Sequence, residues 1–343
     1  MIHLDLFAGI GGFSLALQQA GVEAETYYSE VDKNAIAIYR ENNPDAEYVG
    51  SVTERNVRQI ERPSLITFGS PCQDFSVAGQ RKGVRGNRSV LVTDAISLIH
   101  HFRPDVFIWE NVKGTFSTNG GADFWAIIKA FTDIGGYRLQ WQLLNTAWFL
   151  PQNRERIYLV GTLGDGSGRE IFPIRESNKN ATETRQQSND GLLVNGIDSN
   201  YHKGADGKRT MLEIVPVLTP NRPTKRQNGR RFKEAGDPAF TLTGQDRHGV
   251  VITQRGRGKN KGGEFDECPT ISKSSFEHNH TINNIRRLTE IECERLQGFP
   301  DNWTQYGNYD GKRKKVSATQ RYKCLGNAIS IPPAVEIYRR IYA

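Results

Sequence analysis

The stretch IHLDLFAGIGGFSLAL, residues 2–17, sets a glycine-rich turn between an apolar run and a helical pattern. The run IHLDL predicts a short buried strand, and the pattern over 13–20 predicts a helix. Between them lie Gly9, Gly11 and Gly12, which can take positive φ angles and let the backbone approach a ligand. A strand, a glycine turn and a helix are the start of a βαβ unit, so the stretch predicts an α/β fold.

The same rhythm of apolar runs and helical patterns continues over roughly the first 160 residues. Further strands are predicted at 25–29, near Tyr48-Val49, and at 65–68, 105–110, 138–144 and 156–161. Further helices are predicted at 32–42, 89–101 and 122–133. This order predicts a doubly wound, mostly parallel sheet with helices on both faces.

The pattern breaks over residues 164–285, which are rich in Gly, Asn, Ser and Arg. Short β-like runs at 214–218, 240–243 and 250–253 predict an inserted, irregular, β-leaning domain. Helical patterns return at 289–297 and 332–343, and the second begins with two prolines that suit a helix start. We therefore predict a catalytic and cofactor-binding domain from 1–165 plus 304–343, an insert over 166–285, and a connecting segment over 286–303.

Composition excludes several classes of protein. A hydrophobic content of 37% with 16 Phe in 343 residues argues against a disordered chain. No apolar run approaches the roughly 18 residues of a membrane span. The four cysteines, at 72, 268, 293 and 324, are too few for a disulfide framework, and none forms a CxxC metal pair. The cysteine pattern therefore predicts no metal site. The N-terminus lacks a basic segment before its apolar run, so we expect no signal peptide. A cytoplasmic setting is the corresponding expectation.

The net charge of +7 is concentrated in the insert. Residues 201–264 hold 14 Lys+Arg against 6 Asp+Glu, while the rest of the chain is close to neutral. A solvated basic face is one interpretation of such a segment. A patch that meets a polyanion such as nucleic acid is the other, and composition alone does not separate them.

The glycine turn departs from a dinucleotide fingerprint. A GxGxxG motif that began at Gly9 would need a third glycine where Ser14 stands. Glu30 ends the second predicted strand, 18 residues after Gly12, where doubly wound folds place an acid that binds a ribose diol. The combination favours a nucleoside cofactor without a pyrophosphate, although a tight turn with a surface Glu would give the same pattern.

Polar residues follow three later predicted strands. Cys72 lies in the loop GSPCQDFS after the strand at 65–68, so it is either a nucleophile or a small buried hydrophobe. Glu110 ends the next strand, where burial would raise its pKa and suit a proton donor to a ring nitrogen. Arg154 and Arg156 are two apart at a strand start and share one face, where they can orient a carboxylate and a carbonyl. The alternative for Glu110 is an ordinary strand-end Glu paired with a Lys, and the alternative for the arginines is a pair of surface side chains.

Taken together and in order, these motifs resemble the DNA (cytosine-5)-methyltransferases of bacteria and their phages. The matching segments are DLFAGIGG (5–12), Glu30, GSPCQDFS (69–76), ENV (110–112), QNRER (152–156), RRLTEIECERLQGFPDNW (286–303) and GNAISIPPAVE (326–336). The resemblance covers the whole chain, with a long variable insert before RRLT. It implies a Rossmann-like, S-adenosylmethionine-dependent methyltransferase fold.

The resemblance also implies a mechanism. The target cytosine is flipped out of the duplex, and Cys72 attacks its C6 atom. Glu110 would act at N3, Arg156 would bind O2, and Arg154 would support Cys72 and Glu110. C5 then takes a methyl group from S-adenosylmethionine, which leaves S-adenosylhomocysteine, and loss of the C5 proton with release of Cys72 gives 5-methylcytosine.

The cofactor residues implied by the resemblance are Phe7, Gly9, Gly11, Gly12, Glu30, Ser51, Pro71 and Asn327. Ser51 stands where the family often has Asp bonded to the adenine amine, so we expect weaker or rearranged cofactor binding. Gly86 stands two residues before Arg88, where the mobile loop of the family commonly has Asp, which would alter loop closure.

In this family the insert carries target recognition, and in this chain it also carries the positive charge. Phosphate contacts position such a protein, and contacts to base edges specify the sequence. The DNA-binding residues expected from the resemblance are Gln73, Ser76, Arg88, Arg230, Arg231, Thr241, Thr243 and Arg247.

The main hypothesis is a sequence-specific, monomeric enzyme on double-stranded DNA that protects host or phage DNA or works beside a partner restriction endonuclease. A tRNA cytosine-5 methyltransferase shares the catalytic motifs, but the long basic insert argues against it. A catalytically inactive DNA-binding relative would keep the fold and lose the cofactor. A nicotinamide oxidoreductase is disfavoured because the glycine spacing is wrong.

Overall fold

The computed structural model describes most of the chain outside the insert and parts of the insert itself. The described residues are 1–69, 89–116, 121–164, 169–175, 212–218, 230, 232–233, 237–243, 248–257, 260–263 and 285–343. Several predicted site residues lie outside this part of the chain: Pro71, Cys72, Gln73, Ser76, Arg88, Arg231 and Arg247.

A seven-stranded sheet forms the centre of the protein. Its strands are β1 (Ile2–Leu6), β2 (Glu25–Ser29), β3 (Glu47–Tyr48), β4 (Leu65–Gly69), β5 (Val106–Val112), β6 (Tyr137–Asn145) and β7 (Glu155–Leu163). The strand order is β3-β2-β1-β4-β5-β7-β6. The first five strands are parallel, and β7 runs antiparallel to both β5 and β6. The prediction of a doubly wound, mostly parallel sheet is therefore confirmed.

Helices cover both faces of this sheet. They are α1 (Gly12–Gln19), α2 (Lys33–Asn42), α3 (Ser89–Phe102), α4 (Ala122–Asp133), α5 (Glu290–Gln297), α6 (Ala318–Asn327) and α7 (Ile331–Tyr342). Apolar side chains of α1, α5, α6 and α7 pack into one buried cluster, and those of α3 and α4 pack into a second on the other face. The C-terminal helix thus completes the layer that begins with α1.

The helix boundaries follow from their end residues. Thr289 and Glu292 form a capping box at the start of α5, and Gly298 ends that helix with a φ of 85°. Asp32 caps α2 by accepting from the N–H groups of Asn34 and Ala35. These ends agree within one residue with the helices predicted over 289–297 and 32–42.

The insert contributes a second, antiparallel sheet. In the described residues it consists of β8 (Leu212–Leu218), β9 (His248–Arg257), β10 (Asn260–Gly263) and β11 (Ile285–Arg287), with β9 in the centre. Two of the predicted β-like runs lie within β8 and β9. The third, at 240–243, was wrong as a strand, because the chain there forms only an isolated bridge between Ala239 and Gln152.

A hairpin near the C-terminus was not predicted. It consists of β12 (Tyr306–Tyr309) and β13 (Lys312–Lys315) and packs on α2. Its turn is Asp310-Gly311, and both residues have positive φ angles, of 51° and 84°. An Asp-Gly pair is a strong short-range hairpin signal, so the local sequence did contain the information.

Residues 169–175 pack against the edge strand β6. Gln140 and Gln142 bond to the backbone of Ile171 and Ile174, and both isoleucines are buried.

The domain boundaries stay a prediction. Among the described residues, no helix combines the length and the apolar character that crossing a membrane requires, and no group of three or more His, Cys, Asp or Glu is placed to hold a metal ion.

Candidate active site

A cavity of about 480 Å³ opens at the carboxyl ends of the central parallel strands. Phe7 follows β1, Glu30 follows β2, Gly69 ends β4 and Glu110 lies near the end of β5, and all four line the cavity. Ligands of open α/β sheets bind at this edge, because the loops that leave the strands meet there. The cavity also falls within the roughly 300–1,000 Å³ of small-molecule sites.

The glycine turn forms one wall of the cavity. Gly9 has a φ of 56°, and Phe7 also takes a positive φ, of 51°. A Cβ atom on Gly12 would lie 2.7 Å from Cγ1 of Ile329, so the turn can meet the loop after α6 only without a side chain there. Gly11 differs from the other two, since it does not line the cavity but precedes α1 with a φ of 87°. Its role in the cofactor site stays a prediction.

Glu30 ties the glycine turn to the second strand. Its Oε2 accepts from the N–H of Gly9 at 2.8 Å, and its Oε1 accepts from the N–H groups of Val31 at 2.7 Å and Asp32 at 2.9 Å. A carboxylate has about four acceptor positions, so Glu30 can still accept from a ligand in the cavity. The hydrogen bonds fix where that carboxylate points.

An ion pair stands at the rim of the cavity. Lys323 Nζ lies 2.6 Å from Asp32 Oδ2, and both residues line the cavity. Burial acts to raise the pKa of Asp32, but the hydrogen bond from Lys323 and two backbone N–H groups hold that pKa below its ordinary value. Asn327, at the end of α6, and Ser51, whose hydroxyl lies 3.1 Å from that of Thr53, complete the rim. No sequence motif pointed to Lys323.

Glu110 and Arg156 meet at the inner end of the cavity. Arg156 Nε lies 3.1 Å from Glu110 Oε1, and Glu110 is 7% exposed. The terminal nitrogen Nη1 of Arg156 donates to the carbonyl of Glu155 at 2.8 Å. Gly69 stands beside this pair, since a Cβ atom there would lie 3.1 Å from Glu110 Oε2. The carboxylate is therefore held between a guanidinium group and a backbone without a side chain.

Arg154 lies on the same face but makes different contacts. Its Nη1 donates to the carbonyl of Leu242 at 3.0 Å and its Nη2 to that of Ala328 at 2.6 Å. It is 2% exposed, and burial, followed by the repulsion from Arg156, lowers its pKa to about 9. It still carries its charge at neutral pH. Arg154 thus joins the insert to the loop after α6, and Arg156 is the arginine that contacts Glu110.

Tyr158 continues the same face of β7. It pairs directly with Glu110 across the two strands, and its side chain is buried. Burial, with the charge of Glu110, raises its pKa above the ordinary value. Its hydroxyl is therefore a neutral group beside the Glu110–Arg156 pair.

The predicted reading residues of the insert are only partly described. Thr241 donates its hydroxyl to the carbonyl of Asn153, and the neighbouring Leu242 is buried. Arg230 is exposed, and Thr243 is half-buried. The structure therefore places the Thr241–Thr243 segment next to residues 152–156, which include Arg154 and Arg156.

A buried polar chain that sequence reasoning missed lies beneath the glycine turn. Asp5 accepts from Ser14 at 3.0 Å and from Thr67 at 3.0 Å; Thr67 also contacts His3 at 2.8 Å and Ser14 contacts Tyr39 at 2.6 Å. Burial raises the pKa of Asp5 to about 8 and lowers that of His3 to about 3. The sequence did indicate these residues, since His3, Asp5 and Thr67 are polar residues within the apolar strands IHLDL and LITFG.

Comparisons with known proteins agree on one family. A family profile described as "C-5 cytosine-specific DNA methylase" matches residues 1–343. The orphan methyltransferase M.SPRI of Bacillus phage SPR is 27% identical, with 98% of this chain and 96% of the relative covered. The type II methyltransferase M1.ScrFI of Lactococcus lactis subsp. cremoris is 30% identical, with 96% and 75% covered. Among solved structures, the S. pombe Dnmt2 methyltransferase shares the fold with a TM-score of 0.54 at 18% identity, with 98% and 96% covered.

Proposed function

The chain belongs to the C-5 cytosine-specific DNA methylase family, and from this premise we propose that it methylates C5 of a cytosine within a specific sequence of double-stranded DNA. The observation that carries the proposal is the single cavity in which the glycine turn, Glu30, Glu110, Arg154 and Arg156 meet. Cofactor-binding and base-activating groups must adjoin for a methyl group to pass directly between them.

The cavity fits S-adenosylmethionine, which when bound supplies an electrophilic methyl group. Glu30 is fixed by three N–H groups and has acceptor capacity left for the hydroxyls of a ribose. Gly9 and Gly12 offer a wall without side chains to the amino-acid part, and Phe7 offers a ring to the adenine. Asn327 at the rim is a further polar contact. Pro71, outside the described residues, completes the proposed set.

Ser51 lines the cavity, and we propose that it contacts the adenine. Its hydroxyl lies 3.1 Å from the hydroxyl of Thr53. A hydroxyl can still accept a hydrogen bond from an amine, but without the charge of a carboxylate that bond is weaker. We therefore propose that the ribose contact of Glu30 contributes more to cofactor affinity than the contact of Ser51.

The chemistry on the base needs a nucleophile at C6 and a proton donor at N3. Cys72, three residues after Gly69 in the sequence, would form a bond from its thiolate to C6. Glu110 would donate or share a proton at N3, which takes up the negative charge that develops in the ring. After C5 has gained the methyl group, a base takes the C5 proton, the electron pair of that C–H bond restores the C5–C6 double bond, and Cys72 leaves as a thiolate.

The two arginines divide the remaining work. Arg156 holds the Glu110 carboxylate at 3.1 Å and lies close enough to orient a base beside it, as the resemblance implies for O2. Arg154 would not contact the base, because its terminal nitrogens already donate to the carbonyls of Leu242 and Ala328. Support of Glu110 by Arg154 would then come through its charge and not through a direct hydrogen bond.

The relatives' names support a proposal about the biological setting. Orphan phage methyltransferases and type II methyltransferases occur among them. We propose that the chain protects phage or host DNA in the cytoplasm, alone or beside a partner endonuclease. One copy of the chain suffices, since it carries every group named here.

The test is transfer of label from S-adenosylmethionine to unmethylated genomic DNA and, separately, to tRNA. The wild type should label DNA only, as 5-methylcytosine, and Cys72→Ser should label neither. Cys293→Ala is the matched control, because that thiol is buried on α5 and does not line the cavity. Label in tRNA alone would reassign the substrate. No label in either, despite DNA binding, would favour an inactive reader.

A further inference from the structure

The backbone of Leu242 is held on both sides by residues that precede β7. Its N–H donates to Gln152 Oε1 at 3.0 Å, and its carbonyl accepts from Arg154 Nη1 at 3.0 Å. Leu242 is itself buried. Two residues of one motif therefore fix one residue of the insert.

The Gln152 side chain also reaches α5. Its Nε2 donates to the carbonyl of Leu296 at 2.7 Å and lies 3.4 Å from Oε1 of Gln297. Gln152 is 0% exposed, so these partners take the place of water. The side-chain amide of Gln152 thus accepts a hydrogen bond from the insert through its oxygen and donates one to the connecting helix through its nitrogen.

Further buried hydrogen bonds extend from α5 to the wall of the cavity. Gln297 Nε2 donates to the carbonyl of Leu325 at 2.9 Å, and Ser330 Oγ donates to Gln297 Oε1 at 2.7 Å. Thr146 Oγ1 donates to Ser330 Oγ at 2.9 Å. The loop that lines the cavity lies between Leu325 and Ser330. A contiguous set of contacts therefore joins the insert to the cofactor cavity.

Within residues 239–243 of the insert, backbone-to-backbone hydrogen bonds hold the first residue, Ala239. The Asn153 N–H donates to the carbonyl of Ala239 at 3.0 Å, and the Ala239 N–H donates to that of Pro151 at 2.8 Å. Ala239 forms only an isolated bridge, and residues 240–243 form no strand. Three residues after Ala239, the side chains of Gln152 and Arg154 hold the backbone of Leu242. Side chains, and not a ladder of strand bonds, therefore set the register where Thr241 and Thr243 stand.

We propose that Gln152 is a positioning residue that sets the register of residues 239–243 on the active site. The proposal rests on the proposed function, because it assumes that residues 239–243 contact the target DNA and that the cavity beside them carries out methyl transfer. Arg154 alone does not fix the Leu242 backbone, since of the two backbone groups of Leu242 it bonds only to the carbonyl. With Gln152 intact, a segment that reads DNA keeps one fixed distance to Arg156 and Glu110.

The first test is amide hydrogen exchange in the full-length protein, which does not depend on activity. Gln152→Met keeps a similar volume and removes both hydrogen bonds. Thr146→Val is the matched control, because it removes a buried bond of the same set without touching the insert. Exchange over 239–243 should rise about tenfold or more in Gln152→Met and stay at the wild-type rate in Thr146→Val. Equal rises in both variants would show general loosening and overturn the proposal.

The second test uses unmethylated genomic DNA and sequencing of the 5-methylcytosine positions. Gln152→Met should place more of its methyl groups outside the wild-type consensus, with a fall in kcat/KM of about tenfold. Its affinity for S-adenosylhomocysteine should stay within about twofold of wild type. An unchanged consensus with weakened cofactor binding would refute the positioning role. A wild type that methylates no DNA would defeat the proposed function, whereas the exchange result would still decide the role of Gln152.

Discussion

Replacing Asp5 with Asn should change how the stability of this protein depends on pH. Asp5 is fully buried between Ser14 and Thr67, and burial raises its pKa from 3.8 to about 8. The folded state then binds a proton between about pH 4 and pH 8 that the unfolded state has released. The contribution of Asp5 is therefore present in full below about pH 4 and is lost as the pH rises through 8.

His3 acts in the opposite direction. Burial lowers its pKa from 6.5 to about 3, so its contribution is present above 6.5 and is lost as the pH falls toward 3. Each group changes the free energy of unfolding by about 1.4 kcal/mol per pH unit in its window. In the wild type the two slopes cancel between about pH 4 and 6.5, and only the loss from Asp5 remains up to about pH 8.

Asp5→Asn isolates one of the two slopes. Asparagine keeps an oxygen that can accept from Thr67. Its amide can donate to the Ser14 oxygen once the Ser14 hydroxyl, which donates to Asp5 in the wild type, turns toward Tyr39. The free energy of unfolding of the variant should gain on that of the wild type by about 1.4 kcal/mol per pH unit, on the order of 5 kcal/mol between pH 4 and pH 8. Between pH 4 and 6.5 the variant should become more stable as the pH rises, because the term from His3 is left alone.

The assay is denaturant unfolding at half-unit steps from pH 4.5 to 8. Asp45→Asn is the matched control, because Asp45 is exposed and its variant should follow the wild-type profile. His3→Gln should show a stability that falls steadily over the whole range. Parallel profiles for wild type and Asp5→Asn would refute the reasoning, since they would mean that Asp5 releases its proton equally in both states.

Three further predictions concern the cavity. Glu30→Gln leaves one oxygen for three N–H donors and should weaken binding of S-adenosylhomocysteine about tenfold or more by calorimetry; unchanged affinity would contradict the role of Glu30. Gly12→Ala should push Ile329 into the cavity at a cost of about 1–3 kcal/mol, seen in cofactor affinity or melting temperature, whereas Gly114→Ala, where the nearest atom lies at 3.8 Å, should be neutral. Arg156→Lys should lower kcat about 100-fold with little change in cofactor affinity, because lysine cannot reproduce the guanidinium contact with Glu110; an equal loss in both would make Arg156 a cofactor residue.

Much of the fold could be predicted from local pattern. The strands at 2–6 and 25–29 and the helix at 122–133 have the predicted ends, because apolar period and end residues act over a few residues. The run at 240–243 failed for the opposite reason. Leu242 in this run is buried, and its backbone bonds to the side chains of Gln152 and Arg154, so its hydrophobicity reflects a tertiary contact and not a strand.

The candidate site was predicted as a set of residues but not as an arrangement. The sequence placed Glu110, Arg154 and Arg156 at the ends of neighbouring strands, and their convergence on one cavity follows from the sheet order. Strand alternation could not say which arginine meets Glu110, since it puts both on the same face. The resemblance implied support of Glu110 by Arg154, whereas Arg156 makes the contact in the structure. Lys323 at the rim gave no signal, because its partner Asp32 is 291 residues away along the chain.

By itself, the sequence determined the succession of strands and helices, the glycine turn and the order of the motifs, because these depend on φ angles and side-chain period within short windows. Only the tertiary structure decided that Arg156 faces Glu110 while Arg154 holds Leu242 and Ala328, which are 88 and 174 residues away. Such pairings depend on which surfaces pack together and on which buried polar groups still need partners. No local window contains that information, and the packed chain supplies it.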